Sequence, residues 1–173
     1  VVHVQNVTFE NNTAIEAGGV IRLELQSSGL VSDSVFVSNR AGVRGGAISL
    51  LESDLECTNV TFDNNTSQYG GALYCAGPLT LEITEAHFVN NSAGYGGAFA
   101  LFTNVTGVFG NTTFRSNSAS TSAGDSYIQD ASLTVDDGQF SESTARHGGC
   151  FWISNSTLTV DNSDFSDGSS VDR

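Results

Sequence analysis

Carboxylates are the side chains of this sequence whose number and placement could support catalysis or metal binding. Aspartates crowd the C-terminal third of the chain, at Asp125, Asp130, Asp136, Asp137, Asp161, Asp164, Asp167 and Asp172. Carboxylates that converge on one face could bind Ca²⁺ or act as the acid and base of a glycoside hydrolase. A solvated acidic face explains most of them, and only Asp136 and Asp161 stand as a weak calcium candidate. A polysaccharide lyase would also need a basic residue beside such carboxylates, but the chain has no Lys and its Arg residues are scattered singly.

Thiols and imidazoles are the second group of potentially reactive side chains. There are three cysteines, Cys57, Cys75 and Cys150, with no CxxC pair, and three histidines far apart in sequence. These ligands do not predict a zinc site, and we expect no cofactor and no catalytic residue. Cys57 and Cys75 could form a disulfide or remain two buried thiols, and both alternatives stay open.

Asparagines form the third group, because nine of the fourteen begin an Asn-x-Ser/Thr sequence, where chance would give about three. This sequence is the acceptor for N-glycosylation in the eukaryotic secretory pathway. Asn, Ser and Thr are also common turn residues, which explains the composition but leaves the excess unexplained. Asn65 follows directly on Asn64, and we expect it to point inward. We therefore expect N-glycans on Asn6, Asn11, Asn59, Asn64, Asn90, Asn104, Asn111 and Asn155.

Composition narrows the possible partners and location of the protein. The 173 residues carry a net charge of −13 with only six basic residues, all of them Arg. Nucleic acid is therefore not an expected partner, because phosphate binding needs clustered cations. No apolar run is long enough to span a bilayer, so we expect no membrane insertion. The chain opens inside a repeat and not with a signal segment, and we interpret it as a mature protein or an excised piece.

A repeat of about 26 residues organises these side chains. Seven phenylalanines mark it, and the spacings between them run from 25 to 27 residues: Phe9, Phe36, Phe62, Phe88, Phe114, Phe140 and Phe165. Three residues after the first five of them stand Asn12, Asn39, Asn65, Asn91 and Asn117. A Gly-Gly pair follows in five of the units. Fixed periods of this length are typical of solenoid proteins.

The residues around each Phe predict strands and no helix. Apolar residues alternate before the Phe, as in Leu55, Cys57 and Val60, and again after Gly-Gly, as in Ile48 and Leu50. Such a unit cannot bury its apolar face alone, but stacked units bury one continuous core. The sequence therefore predicts a single all-β domain over residues 1–173. Its fold would be a right-handed parallel β-helix of about 6–7 coils with three short strands per coil.

Each column of the repeat has an expected place in that helix. The Phe column would stack inside the rod, and the Asn column would form a ladder of side-chain amides at a corner. Gly-Gly would supply a positive φ or a close approach of two backbones. Tyr74, Tyr127 and Trp152 fall at outward positions and are candidates for a contact face, unless flanking loops cover them.

These repeats resemble those of the chlamydial polymorphic membrane proteins. The resemblance rests on FxxN, found here as "FENN", "FVSN", "FDNN", "FVNN" and "FRSN", and on "GGAI" and "GGAL". Related forms are "GGVI", "GGAF" and "GGCF", while the last two units lack the Asn. In that family the repeats build an extracellular β-helical passenger that mediates adhesion and forms oligomers. The resemblance thus implies a cell-surface β-helix without catalytic residues, and a eukaryotic secreted relative would be consistent with the glycosylation sequences.

Our leading hypothesis from the sequence is a non-enzymatic extracellular structural glycoprotein. The open ends of a β-helix expose strand edges, so the rod could stack on itself head-to-tail into a filament or surface appendage. The chain would then be one segment or protomer of a longer stack. The alternative is an adhesin that binds a receptor or a glycan along the side of the rod. A polysaccharide-active enzyme is a remote third option, because the regular spacing leaves no long loops to wall a cleft.

Overall fold

The structure is a computed structural model that describes residues 1–170, so Asp172 lies outside the described residues. These residues form strands and turns. The strands of the first half are β1 (Val2–Gln5), β2 (Thr8–Glu10), β3 (Thr13–Ala14), β4 (Ile21–Glu24), β5 (Ser28–Val37), β6 (Arg40–Ala41), β7 (Ile48–Leu51), β8 (Asp54–Asp63), β9 (Leu73–Ala76), β10 (Leu79–Thr84) and β11 (His87–Val89). Those of the second half are β12 (Ser92–Tyr95), β13 (Phe99–Phe102), β14 (Val105–Arg115), β15 (Ser118–Ser122), β16 (Ser126–Gln129), β17 (Ser132–Ser141), β18 (Thr144–His147), β19 (Phe151–Ser154), β20 (Thr157–Asp161), β21 (Asp164–Ser166) and β22 (Ser169–Ser170).

Parallel pairing between successive repeats builds a β-solenoid with three sheets. The first sheet follows the order β1-β5-β8-β10-β14-β17-β20, and β2, β11 and β21 pair within it. The second consists of β3-β6 and β12-β15-β18-β22, which a bridge at Thr66 connects. The third runs β4-β7-β9-β13-β16-β19. Pairs such as Phe36 with Phe62 join residues one repeat apart, which confirms the predicted parallel β-solenoid and its period of about 26 residues.

The boundaries of the strands differ from those expected. The two runs before each Phe form one bent strand of 10 or 11 residues in β5, β8, β14 and β17. The remaining strand of each coil lies between the Asn column and Gly-Gly, where the sequence shows no apolar alternation. Short pieces such as Arg40–Ala41 form it, and they owe their extended conformation to pairing with neighbouring coils.

Left-handed residues make the corners of the coil. In the third coil Glu52, Asn59 and Asn64 have φ of 51°, 54° and 54°. Equivalent positions in the other coils show the same conformation, for example Asn104, Asn111 and Asn90. The left-handed conformation costs most residues about 1–2 kcal/mol, whereas Asn and Asp adopt it readily. The corners therefore recruit asparagine for a purely conformational reason.

The core is a stack of phenylalanine rings flanked by aliphatic side chains. Successive rings of the Phe column lie 4.7 to 5.1 Å apart between centroids, with planes within 22° of parallel. Phe36, Phe62, Phe88, Phe114 and Phe140 are buried. Phe165, in the last described coil, is 52% exposed. The stack thus supplies one buried ring to each inner coil.

Gly-Gly serves both of the roles expected of it. Gly45 has a φ of +57°, and a Cβ on Gly46 would lie 2.1 Å from the carbonyl oxygen of Gly71 in the next coil. No side chain fits at that second position, because two backbones pass each other there. In the fifth unit Ala123 replaces the first glycine and adopts a φ of 63°.

Candidate binding surface

The outer faces of the first and third sheets differ sharply in chemistry. In the first sheet outward strand positions carry acidic residues such as Glu56, Glu82 and Asp136. In the third sheet only the first coil is charged, with Arg22 and Glu24. The later coils place uncharged residues there: Ser49, Leu51, Tyr74, Ala76, Ala100, Phe102, Tyr127, Gln129, Trp152 and Ser154.

Six aromatic side chains form a continuous strip over this face and the adjoining corner before Gly-Gly. We call this set the outer aromatic strip: Tyr69, Tyr74, Tyr95, Phe102, Tyr127 and Trp152. Each is half-buried. Tyr127 and Trp152 stack with centroids 4.3 Å apart and planes 3° from parallel. Tyr69 and Tyr95 stack at 5.1 Å, and Phe102 contacts both Tyr74 and Tyr127 at 5.4 Å.

Burial disfavours ionisation of two tyrosines of the strip, Tyr74 and Tyr127. Burial raises the pKa of Tyr74, and the Arg44 guanidinium, 5.6 Å from the ring centroid, opposes that shift. Burial also raises the pKa of Tyr127, and the neighbouring Tyr95 and Tyr69 raise it further. The Tyr127 hydroxyl meets Gln129 Oε1 at 3.3 Å. The strip therefore presents hydroxyl groups and ring edges, with the Arg44 guanidinium at its margin.

Sequence reasoning named half of this strip and missed Tyr69, Tyr95 and Phe102. The missed tyrosines share the column directly before Gly-Gly and pair with one another across a bridge. Their 26-residue separation was a usable signal. Phe102 ends the strand that begins with Phe99, and its outward direction follows from the alternation along that strand.

The Asn column forms a buried ladder that ends on a carboxylate. The Nδ2 of Asn65 donates to Asn91 Oδ1 at 3.0 Å and to the Phe36 carbonyl at 2.9 Å, and the same pattern links Asn12, Asn39, Asn91 and Asn117 along the rod. Asn117 then donates to Asp125 Oδ1 at 2.9 Å. Ser143, which replaces Asn in the column, donates to the other carboxylate oxygen.

Asp125 is the one strongly perturbed carboxylate among the described residues. Burial raises its pKa to about 7, and hydrogen bonds from Ser143, Asn117 and Cys150 hold the shift back. The carboxylate lies inside the ladder and not at a cleft, so its environment stabilises the rod. This role could not be predicted from the repeat, because Asp125 falls outside the Asn column.

The eight asparagines expected to carry glycans are all exposed, and all have positive φ. The Ser or Thr two residues later lies in a strand in seven cases, from Thr8 to Thr157, and at the Thr66 bridge in the eighth. A left-handed corner favours Asn, and a strand favours Thr. The fold thus supplies a second cause for the excess of Asn-x-Thr sequences, which weakens the inference drawn from their number. Asn65 is buried in the ladder, and Asn64 beside it is exposed.

The remaining candidate residues are the aspartate pair of the first sheet and the three cysteines. Asp136 and Asp161 are register partners in the first sheet, and Asp136 Oδ1 accepts a hydrogen bond from Asn162 at 2.8 Å. Within residues 1–170 no three His, Cys, Asp or Glu side chains are grouped to hold a metal ion. The three cysteines are free thiols. Burial raises the pKa of the Cys57 and Cys75 thiols, and raises that of Cys150 to about 11.

The repeat is similar to one found in a known protein family. The Chlamydia polymorphic membrane protein repeat matches two segments of the chain, residues 6–24 and residues 59–76. Together they make up about a fifth of its length. The chain carries repeats of the chlamydial polymorphic membrane protein type. Each matched segment spans a corner asparagine, an FxxN and a Gly-Gly, which are the structural columns of the coil. No curated protein and no solved structure matches the chain.

The polymorphic membrane protein repeat and the β-solenoid fold together suggest a surface protein of the adhesin type. Proteins built from this repeat are typically not enzymes. Among the described residues no helix could cross a membrane.

Proposed function

We propose that this protein is a non-enzymatic surface rod that binds a partner protein through the outer aromatic strip. The observation that carries the proposal is a continuous array of six half-buried aromatic side chains on an uncharged face of a chain with a net charge of −13. Interface centres are depleted in charge and enriched in Tyr, Trp and Phe, and Arg is also favoured there. Arg44 at the margin of the strip completes that composition.

Ring stacking favours a protein over a glycan as the partner of the strip. Tyr127 covers one face of Trp152, and Tyr69 covers one face of Tyr95. A sugar that stacks on an aromatic residue needs an open ring face. Ring edges and hydroxyl groups suit the side chains and carbonyl groups of a protein surface.

Binding to intact cultured cells tests this function and the class of partner. Fluorescently labelled protein should bind saturably to at least one cell type in a panel. Pretreatment of those cells with a protease should abolish binding, whereas pretreatment with glycosidases should leave it in place. Absence of saturable binding on every cell type, or loss of binding after glycosidase alone, would contradict the proposal.

Head-to-tail stacking is a second candidate, supported by apolar side chains at the two end coils. Val2 is 37% exposed in β1, and Phe165 is 52% exposed in β21. Strand edges that carry exposed apolar side chains template pairing with further coils, from another copy or from the same chain. Electron microscopy at high concentration tests self-assembly, since monodisperse short particles would exclude filaments for this chain.

N-glycosylation at the eight corner asparagines belongs to the same proposal, together with passage through a secretory pathway. Their exposure supports it, because the acceptor nitrogen must be reachable. Glycosidase treatment of the protein from its native source, followed by mass measurement, should show a loss of mass. An unchanged mass would leave the corners as the whole explanation of these sequences.

A further inference from the structure

Arg44 adjoins three tyrosines of the outer aromatic strip. It occupies the column directly before Gly-Gly, where a parallel bridge pairs it with Tyr69 and a further bridge pairs Tyr69 with Tyr95. Its guanidinium lies over the Tyr74 ring, 5.6 Å from the centroid. The residue is exposed. The cation therefore ends the row of stacked tyrosines and covers a ring of the neighbouring column.

Arg44 and Arg22, two coils of the same side of the rod, are held in different ways. Arg22 forms ion pairs with Glu16 at 3.8 Å and with Glu24, so carboxylates of its own chain neutralise it. Within residues 1–170 the Arg44 side chain forms no ion pair and no hydrogen bond, and it contacts a ring instead. The chain has nineteen acidic residues, yet none of those described adjoins this guanidinium.

The contact with Tyr74 leaves Arg44 able to bind an anion. A cation–π contact depends on the charge, so most of the five N–H donors of the guanidinium remain available for hydrogen bonds. The ring also restrains a long side chain, which reduces the entropy lost when a partner binds. A carboxylate matches the planar fork of arginine through two parallel N–H···O bonds. Tyr74 thus preorganises Arg44 for a carboxylate.

The surface beyond Arg44 offers no charge that would repel such a group. Residues 64–81 and 88–114 contain no charged residue, and four of the six strip residues belong to these segments. Acidic residues of the same coils, such as Glu56 and Glu82, point outward from the first sheet. A carboxylate that approaches over the strip therefore avoids the acidic face of the rod.

We propose that the partner of the outer aromatic strip places a carboxylate on Arg44 and apolar side chains on the rings beside it. This inference rests on the proposed function and names the chemistry of the partner: a protein segment in which Asp or Glu lies next to apolar residues. Charge complementarity carries it, because Arg44 would repel a basic segment at the same place. Sialic acids also bring carboxylates to a cell surface, and the experiment separates the two sources.

Three arginine variants test the contact on a cell type that binds the parent protein. Arg44→Gln removes the charge, and its dissociation constant should rise about tenfold or more. Arg44→Lys keeps the charge without the planar fork and should bind about threefold more weakly. Arg40→Gln removes the same charge in the same coil, on the second sheet and outside the strip, and should stay within about twofold of the parent. Circular dichroism should show that all three are folded.

Salt and chemical treatment of the cells test the charge of the partner. Binding of the parent should weaken when NaCl is raised from about 50 to about 150 mM at constant tonicity, and Arg44→Gln should change less. Amidation of cell-surface carboxylates with a carbodiimide and glycinamide should abolish binding of the parent. Sialidase pretreatment should leave binding in place, because the carboxylate belongs to a protein side chain.

The outcomes separate this inference from the function on which it rests. If the Tyr127→Ser, Trp152→Ser double variant loses binding while Arg44→Gln binds like the parent, the strip stands and the carboxylate contact is overturned. Parent-like binding by Arg44→Lys, or after amidation of the cells, also overturns it. Loss of binding after sialidase alone assigns the carboxylate to a glycan and contradicts the proposal. Absence of saturable binding by the parent overturns both.

Discussion

Two aromatic arrays follow the same repeat along this rod, one inside it and one outside. The Phe column contributes a ring to every coil, and its inner members are buried. The outer aromatic strip begins only in the third coil, and its rings are half-buried. In the first two coils Arg22 and Ser49 occupy the position of Tyr74, yet these coils pair in the same register. The fold therefore depends on the inner array and not on the outer one, which leaves the outer strip available for binding.

Removing one ring from each array tests whether the inner rings contribute more to folding stability than the outer ones. Phe88→Ala should lower the free energy of unfolding by about 3–5 kcal/mol, because it removes a buried ring and leaves a cavity. Phe102→Ala, in the strip, should cost about 1 kcal/mol, since that ring is already partly in water. Urea denaturation followed by circular dichroism measures both. Equal losses would show that the strip is as structural as the core.

Asn64 and Asn65 allow the same comparison between an outward-facing and an inward-facing side chain, here with polar groups. Asn65→Ala removes a ladder rung, and with it the hydrogen bonds that the Asn65 side chain donates to the Phe36 carbonyl and accepts from the Asn39 backbone N–H, at about 3 kcal/mol. Asn64→Ala should cost about 1 kcal/mol, the preference of a left-handed corner for Asn. Midpoints of thermal unfolding for the two variants rank them. A larger loss for Asn64→Ala would overturn the assignment of the two side chains.

Asp125 makes the stability of the inner array depend on pH. Its folded pKa, about 7, exceeds the ordinary carboxyl value of 3.8, so the folded protein holds a proton that the unfolded chain releases between these values. The extra stability is complete below about pH 4 and is lost as the pH rises through 7, and the part lost between pH 5 and pH 8 is about 3 kcal/mol. Asp125→Asn extends the ladder with a neutral amide and should remove this part of the pH dependence. Urea midpoints at pH 5 and pH 8 for both proteins give the difference, and parallel behaviour would contradict the prediction.

Replacing two stacked rings of the strip should still cost less folding stability than removing one ring of the core. Tyr127→Ser combined with Trp152→Ser removes the stacked pair at 4.3 Å, at about 1–2 kcal/mol, because neither ring is fully buried. Val108→Ser, on the outer face of the first sheet, serves as an exposed apolar control. A collapse of the fold in the double variant, seen by circular dichroism, would place the strip among the structural elements.

Much of the fold could be predicted because the residues of each structural column can be recognised directly in the sequence. Phe, Asn and Gly-Gly recur at one spacing, and each meets a local requirement of the coil. The Phe ring fills the core, the Asn side-chain amide hydrogen-bonds to neighbouring coils, and glycine leaves room where two backbones pass. Features that depend on contacts between columns were not predictable in this way. Asp125 joins the Asn ladder from a different column, and Phe102 joins Tyr127 from a neighbouring coil.

The glycosylation sequences show the opposite difficulty, in which one pattern has two causes. Asn59 and Thr61 form an acceptor sequence, but Asn59 also makes a left-handed bend and Thr61 continues the strand after it. Counting against random placement treats these positions as independent, whereas the coil fixes both. Geometry was needed to see that the bend and the strand alone place Asn and Thr two residues apart.

Binding of the strip variant to cells tests the central claim most directly. Labelled parent protein and the Tyr127→Ser, Trp152→Ser double variant should be titrated onto a cell type that binds the parent, with the Val108→Ser variant alongside. Loss of two aromatic anchors predicts a dissociation constant at least a hundredfold weaker for the double variant, with Val108→Ser unchanged. Equal binding by the folded double variant and the parent would contradict the claim that the outer aromatic strip is the binding surface.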